Sequence, residues 1–129
     1  MIRFKKIGKL TQAAEELPFV PKRVYWIHTK GEARGGHAHI KTEQVFTCVQ
    51  GNYIFVVDNG IDVKRHYLTG NDPKGIYISK EWHTMENCSD DCIILVMASE
   101  FCDEKDYIRD YKKWKEWTHD RIGTNAAAI

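Results

Sequence analysis

The sequence predicts an all-β sandwich or barrel closed by a single C-terminal helix. Three observations carry this. Short alternating or β-branched runs recur along most of the chain, with turn residues between them. Apolar spacing of the helical kind is confined to the stretch after Asp103. The 129 residues, 43% apolar and 29% charged, suit one domain with a core of its own.

The segment before Pro18 is rich in strand formers. Lys22 to His28 alternates, with Val24, Trp26 and His28 on one face and Arg23, Tyr25 and Ile27 on the other. His28 shares its face with two apolar neighbours, so it is expected to be buried. Gln44 to Val49 is a β-branched and aromatic run ending near Gly51, and Tyr53 to Val57 follows. Asn59-Gly60 is the strongest hairpin signal in the chain, because both residues tolerate positive φ. Asp62 to Leu68 is then the return strand. Gly70 to Pro73 makes a second turn, and Lys74 to Ser79, Trp82 to Glu86 and Cys92 to Ser99 complete the series. Phe46, Phe55, Val57, Ile94 and Val96 are the core candidates. Asp103 is expected to cap a helix running to about Trp117, which buries Tyr107, Ile108, Tyr111, Trp114 and Thr118.

Charge and composition exclude several classes of function. Lys and Arg number 19 against 18 acidic residues, so no bulk field attracts nucleic acid or an anionic membrane. An anionic ligand must be held by a local cluster. The apolar run Ile93 to Ala98 is far below the ~20 residues of a membrane span. Met1 to Lys6 lacks the apolar core of a signal peptide. Cys48, Cys88, Cys92 and Cys102 form no C-x-x-C pair and are expected to be reduced thiols in the cytoplasm.

The informative stretch runs from Gly31 to Gly51, with His37, His39 and Glu43 between the two glycines. On a strand, His37 and His39 point the same way. His83, followed by Asn87, forms a second half-motif. Three imidazoles and a carboxylate converging from two strands can bind a divalent transition metal. The same group can move protons near neutral pH. Spacing alone leaves both readings open, beside a third, a barrel that binds a sugar nucleotide without catalysis. His66 and His119, set among charges, are expected to be exposed.

This pattern resembles the two motifs of the cupin superfamily, whose fold is a double-stranded β-helix or jelly-roll barrel. Gly31, His37, His39, Glu43 and Gly51 match the first motif, and His83 and Asn87 match the second. Ser79-Lys80-Glu81 departs from the usual turn before the second motif. A closer resemblance is to the sugar 3,4-ketoisomerases of the FdtA, QdtA and WxcM-like group. It is carried by Lys22 to Ile27, Arg34 to His39, Glu43 to Val45, Gly75 to Ile78, Trp82 to Met85 and Asp106 to Tyr111.

The resemblance implies a single cupin domain over 1–118, with 119–129 a tail. It implies an isomerase without metal or other cofactor, acting on dTDP-4-keto-6-deoxyglucose. His37 and His39 would carry the proton transfers, assisted by Tyr25 and His83. Arg34, Arg23 and Lys41 are candidates for holding the diphosphate, with Lys74 as a further cation. Trp82 or Trp26 would offer the thymine an aromatic platform. Glu43 would hydrogen-bond an active-site imidazole. Family members are typically homodimers with exchanged N-terminal strands. One departure stands out: Ile7-Gly8 lies where family members usually carry Arg-Gly or Tyr-Gly. That weakens the hint of a galacto product that His83 gives.

Overall fold

The computed structural model describes residues 1–127, with side-chain surroundings through residue 122. Eleven strands appear among them: β1 (Ile2–Ile7), β2 (Leu10–Ala13), β3 (Arg23–His28), β4 (Arg34–His39), β5 (Gln44–Gln50), β6 (Asn52–Asp58), β7 (Val63–Thr69), β8 (Lys74–Ile78), β9 (Trp82–Glu86), β10 (Ile93–Ala98) and β11 (Tyr107–Ile108). They form two antiparallel sheets, in the orders β2-β1-β8-β5-β10-β3 and β11-β4-β9-β6-β7. The sheets curl over one core, giving a cupin-like barrel. Phe46, Phe55, Ile94 and Val96 lie buried with Tyr53, Leu68, Ile78 and Met85. Phe46 and Phe55 stack with ring centroids 4.4 Å apart. Val57 packs against this core from its edge.

The β6–β7 hairpin turns at Asn59-Gly60 as expected, but through four residues rather than two. Asn59 Oδ1 accepts from the N–H groups of Ile61 and Asp62, which closes the longer loop. Gly60 supplies a φ of 94°.

Two expectations are corrected. First, β3 turns the other way. Arg23, Tyr25 and Ile27 point toward the interior, while Val24, Trp26 and His28 face out, Val24 54% and Trp26 62% exposed. Its pairing with β10 fixes the face, because Tyr25 lies opposite the core residue Val96. Alternation shows that a strand has two faces. Here the inner face carries Arg23 and Tyr25 beside Ile27, because this end of the barrel interior is polar.

Second, Asp103 caps only a 3-10 turn, Glu104–Asp106, by accepting from the Lys105 N–H. The chain then extends as β11, which pairs with His39 and Ala38 on the free edge of β4. Helix α1 (Tyr111–Ala127) starts later, with Asp110 accepting from the Lys113 N–H. Tyr107 and Ile108 fit the helical spacing, yet the β4 edge recruits them. The helix docks through Trp114, which is fully buried and donates its Nε1–H to the Lys80 carbonyl at 2.9 Å, and through buried Thr118. It takes in most of the segment from 119, and residues 128 and 129 lie outside the described residues. No helix among the described residues is long and apolar enough to cross a membrane. All four cysteines are free thiols, and only Cys102 is exposed.

Candidate active site

The polar end of the barrel is built where β4 crosses β9. Side chains on β4 alternate, so Ala38 turns away from the barrel interior while His37 and His39 turn into it. His37 pairs directly with His83 of β9. One nitrogen from each of His37, His39 and His83 lies within 4.8 Å of the others. The His37 ring meets those of His83 and His39 edge-on, with centroids 4.6 and 5.2 Å apart.

A backbone irregularity decides what else faces inward. The ladder shifts between Gly35 and His37, so Arg34 lies opposite Met85 while His37 lies opposite His83. Met85 and His83 both point inward. The extra residue therefore puts Arg34 in register with the inward-facing side of β4, although it stands three positions from His37, and its side chain is exposed at the strand's end. Gly35 makes this possible. Its φ is 92°, and a Cβ there would stand 3.0 Å from the His83 carbonyl oxygen.

The tautomers follow from hydrogen bonding. His39 Nδ1 donates to Asp106 Oδ2 at 2.8 Å. Asp106 also accepts from the Lys41 N–H at 2.6 Å and from the Thr42 hydroxyl and N–H. Burial alone would raise this carboxyl, but the bonds from Thr42, Lys41 and His39 outweigh it and hold it below the usual carboxylate range. His83 Nδ1 faces the Glu81 carbonyl at 3.3 Å. Both rings thus turn a bare Nε2 lone pair into the interior, and neither Nε2 has a partner among the described residues.

Burial keeps these imidazoles neutral. It pushes His83 down to about 3, helped by the neighbouring His37. It pushes His37 down to about 4, helped by His39 and Arg109. His39 is lowered by burial as well, against the opposing pull of Asp106. The arrangement is a set of buried neutral bases awaiting a proton donor.

The opposite wall carries Tyr25, Gln44 and Arg23. Gln44 Nε2 donates to the Tyr25 hydroxyl oxygen at 2.8 Å. The Arg23 guanidinium lies 4.9 Å from the Tyr25 ring centre. Burial pushes the Tyr25 phenol up to about 12, so it is a hydrogen-bond donor and not an anion at neutral pH.

Three sequence candidates stand elsewhere. Glu43 lies outside, where it accepts from the Tyr77 hydroxyl, and Asp106 takes the position behind an imidazole foreseen for it. The histidines could hold a divalent metal by their nitrogens, but Glu43 is not placed to complete that set. Trp82 leaves the face of β9 opposite to His83 and packs on Tyr111 and Trp114 of the helix. The Lys41 ammonium is exposed and pairs with Glu100 at 3.3 Å. It lies along a cleft of about 540 Å³ that Thr42, Phe101, Cys102 and Asp106 also line, and that none of the three histidines lines.

Sequence reasoning missed Asp106, Tyr107 and Arg109 as site residues. The Tyr107 ring lies 4.5 Å from that of His39 and 5.0 Å from that of His37. Arg109 covers the outer side of Tyr107 at 4.1 Å. These residues are far from the histidine motif in sequence, and the only signal for them was the resemblance of Asp106 to Tyr111 to the ketoisomerase series.

The family model described as WxcM-like, C-terminal (FdtA) matches residues 4–119. The chain belongs to this family. Among its relatives is a TDP-4-oxo-6-deoxy-alpha-D-glucose-3,4-oxoisomerase from Aneurinibacillus thermoaerophilus. It is 42% identical over 127 residues, covering 91% of this chain and 90% of the relative. The WxcM-like chain also superimposes on solved structures. One is a mutant of the 3,4-ketoisomerase QdtA from Thermoanaerobacterium thermosaccharolyticum, in complex with TDP-4-keto-6-deoxyglucose. Its TM-score is 0.82 and its identity 32%, over 93% of each chain. Another is the TDP-fucose-3,4-ketoisomerase WlaRA from Campylobacter jejuni, with TM-score 0.80 and 29% identity over 94% of each chain.

Proposed function

We propose that this enzyme isomerises dTDP-4-keto-6-deoxyglucose to its 3-keto isomer by proton transfer, without a metal. The observation that carries this reading is the pair of buried, unpartnered Nε2 lone pairs on His39 and His83, set beside His37. Moving a ketone from C4 to C3 requires removal of the C3 proton, which the neighbouring carbonyl acidifies. A proton must then pass between the two oxygens, and another must arrive at C4. The intermediate is an enediol or enediolate. Neutral imidazoles near their working pH serve both as bases and, once protonated, as acids, each worth about 10²–10⁴ in rate.

His39 acts at carbon in this scheme, and His37 relays between O3 and O4. Tyr25, held as a neutral phenol by burial, donates to a substrate oxygen, as an oxyanion requires. Arg34 and Arg23, both on the inner side of their strands, supply the cations for the diphosphate. His83 favours the galacto configuration at C4.

The enzyme works in the cytoplasm as a homodimer with exchanged N-terminal strands. Two features support the exchange. The β1–β2 hairpin is almost wholly exposed, and only Ile2 and Arg3 pair with β8 of the same chain. The outer face of β3 is also left bare.

Incubation with dTDP-4-keto-6-deoxyglucose, followed by NMR assignment of the carbonyl position and of C4, tests the reaction. The expected product carries its ketone at C3, and an unchanged spectrum refutes the reading. The three histidines also support a second reading, a metal-dependent enzyme. Chelation that abolishes turnover, with recovery on adding zinc or iron, would establish it.

A further inference from the structure

The three imidazoles are not equivalent, because only one has an anion in contact. Asp106 ends the 3-10 turn that leads into β11 and is held by four hydrogen bonds, one from His39, one from Lys41 and two from Thr42. An ionised carboxylate accepts and cannot donate. His39 must therefore carry its hydrogen on Nδ1 and present its unpartnered Nε2 lone pair to the barrel interior. His83 has the same orientation, but its Nδ1 faces a peptide carbonyl that carries no charge. No hydrogen bond fixes the His37 ring among the described residues.

A buried imidazole that takes up a proton loses solvation and needs a countercharge. His39 has one at 2.8 Å. The other groups facing it cannot provide one. They are the His37 and Tyr107 rings beside it, His83 on β9, and Arg109 and Arg23, whose positive charges oppose its protonation.

We propose that Asp106 is the positioning residue that makes His39, alone of the three histidines, the one that stays cationic for the lifetime of the enediolate. This rests on the ketoisomerase reading. In the first half-reaction the C3–H bond breaks and its proton forms a bond to His39 Nε2. The electron pair passes into the enediolate, leaving charge on O4. The O3–H proton then passes to O4, with His37 leaving that transfer as neutral as it entered, and the negative charge moves to O3. In the second half the proton on His39 Nε2, or one exchanged for it, forms a bond to C4 while the O3 lone pair forms the C3 carbonyl. Asp106 stays ionised throughout and faces the imidazolium while it exists. His37 and His83 are neutral in the enediolate intermediate.

The first arm of the test is ¹⁵N NMR of the wild-type imidazoles with pH, which needs no turnover and no variant. The expected result is a neutral His39 protonated on Nδ1, with a pKa above those of His37 and His83. A His39 protonated on Nε2, or one that titrates below His37, overturns the assignment. The second arm is Asp106→Asn, which keeps an acceptor and removes the charge. Its expected effect is a kcat lowered about 10²-fold, with KM changed less than about threefold. The acid limb of kcat should move to lower pH, since the lost anion makes His39 harder to protonate. A variant with wild-type kcat and an unmoved acid limb also overturns the proposal. Should that variant fail to fold, the wild-type titration decides alone. Wild-type enzyme that leaves the ketosugar unchanged refutes the reaction itself, whereas an Nε2-protonated His39 refutes only the role of Asp106.

Discussion

All three histidines stand on the five-stranded sheet, two on β4 and one on β9, while the six-stranded sheet faces them with Arg23, Tyr25 and Gln44. One wall holds imidazoles, which can both accept and donate a proton. The other holds groups that keep theirs: a guanidinium, a phenol held as a neutral donor and an amide. The outer faces differ as well. Helix α1 covers the histidine-bearing sheet through Trp82, Tyr111 and Trp114. The opposite sheet leaves Val24 and Trp26 bare. The two sheets thus bring different side-chain chemistry to one end of the barrel. Each difference between the two walls can be broken by a single substitution.

The largest effect is expected on the proton-handling wall. His39→Asn should lower kcat by about 10²–10⁴-fold, equivalent to about 3–5 kcal/mol of barrier. Tyr25→Phe on the facing wall should cost less, about tenfold, because it removes one donor and no base. Steady-state kinetics on the ketosugar measure both. Equal losses at the two positions would erase the proposed division between the walls.

Beneath both walls lies the shared apolar floor. Phe46 comes from the six-stranded sheet and Phe55 from the five-stranded one, and both lie about 5–6 Å from the His83 ring. Phe46→Ala should destabilise the fold by about 3–5 kcal/mol, read from urea unfolding. The cavity it opens should also admit water to His83, whose pKa then rises toward its ordinary value.

The two walls were unequally legible in the sequence. His37, His39 and His83 were readable because alternation places the first two on one side and a motif marks the third. The barrel was readable because its strands are short, alternating and bounded by turn residues. Asp106 was not, since it stands 67 residues from its partner and gets there only because β11 pairs with the β4 edge. The direction of β3 was not readable either. Its inner face carries Arg23 and Tyr25 with Ile27, and its outer face Val24 and Trp26 with His28, so neither face is plainly the apolar one and only the pairing with β10 settles which is which. Glu43 fits the spacing of a site carboxylate, yet it belongs to the outer face with Tyr77.

A smaller effect is expected at the bulge that turns Arg34 inward. Gly35→Ala puts a Cβ against the β9 backbone at positive φ, which should cost about 1–3 kcal/mol. If the shift in register is what aims Arg34 at the substrate, KM should rise more than kcat falls. Arg34→Ala in the wild-type background should then reproduce the KM change without the loss of stability.

The histidine wall also makes the fold sensitive to acid. In the unfolded chain an imidazole takes up its proton near pH 6.5. In the folded protein burial delays this to about 4 for His37 and about 3 for His83. The folded pKa values are depressed, so the unfolded state binds more protons between these limits. Stability is therefore fully present above pH 6.5 and declines as the pH falls toward 3. Urea midpoints at pH 7.5 and 5.5 should differ in that direction, and His83→Gln should flatten the dependence. A midpoint that rises on acidification would mean that the imidazoles are charged in the folded state.

The smallest effect on the folded chain itself is expected from the bare outer face. Trp26 is exposed on an edge strand whose outer neighbours include Val24 and, across the ladder, Leu95 and Met97. A substitution at a solvated site typically changes stability by less than about 0.5 kcal/mol. Trp26→Glu should therefore leave the unfolding of an isolated chain nearly unchanged. If a second copy covers this face in solution, the same substitution places an unpaired carboxylate in an apolar interface, at considerable cost. Sedimentation velocity should then show a shift from dimer to monomer, and urea midpoints that depend on protein concentration in the wild type should lose that dependence. A wild type that sediments as a monomer at all concentrations would show that the six-stranded sheet, unlike its counterpart, does without any cover.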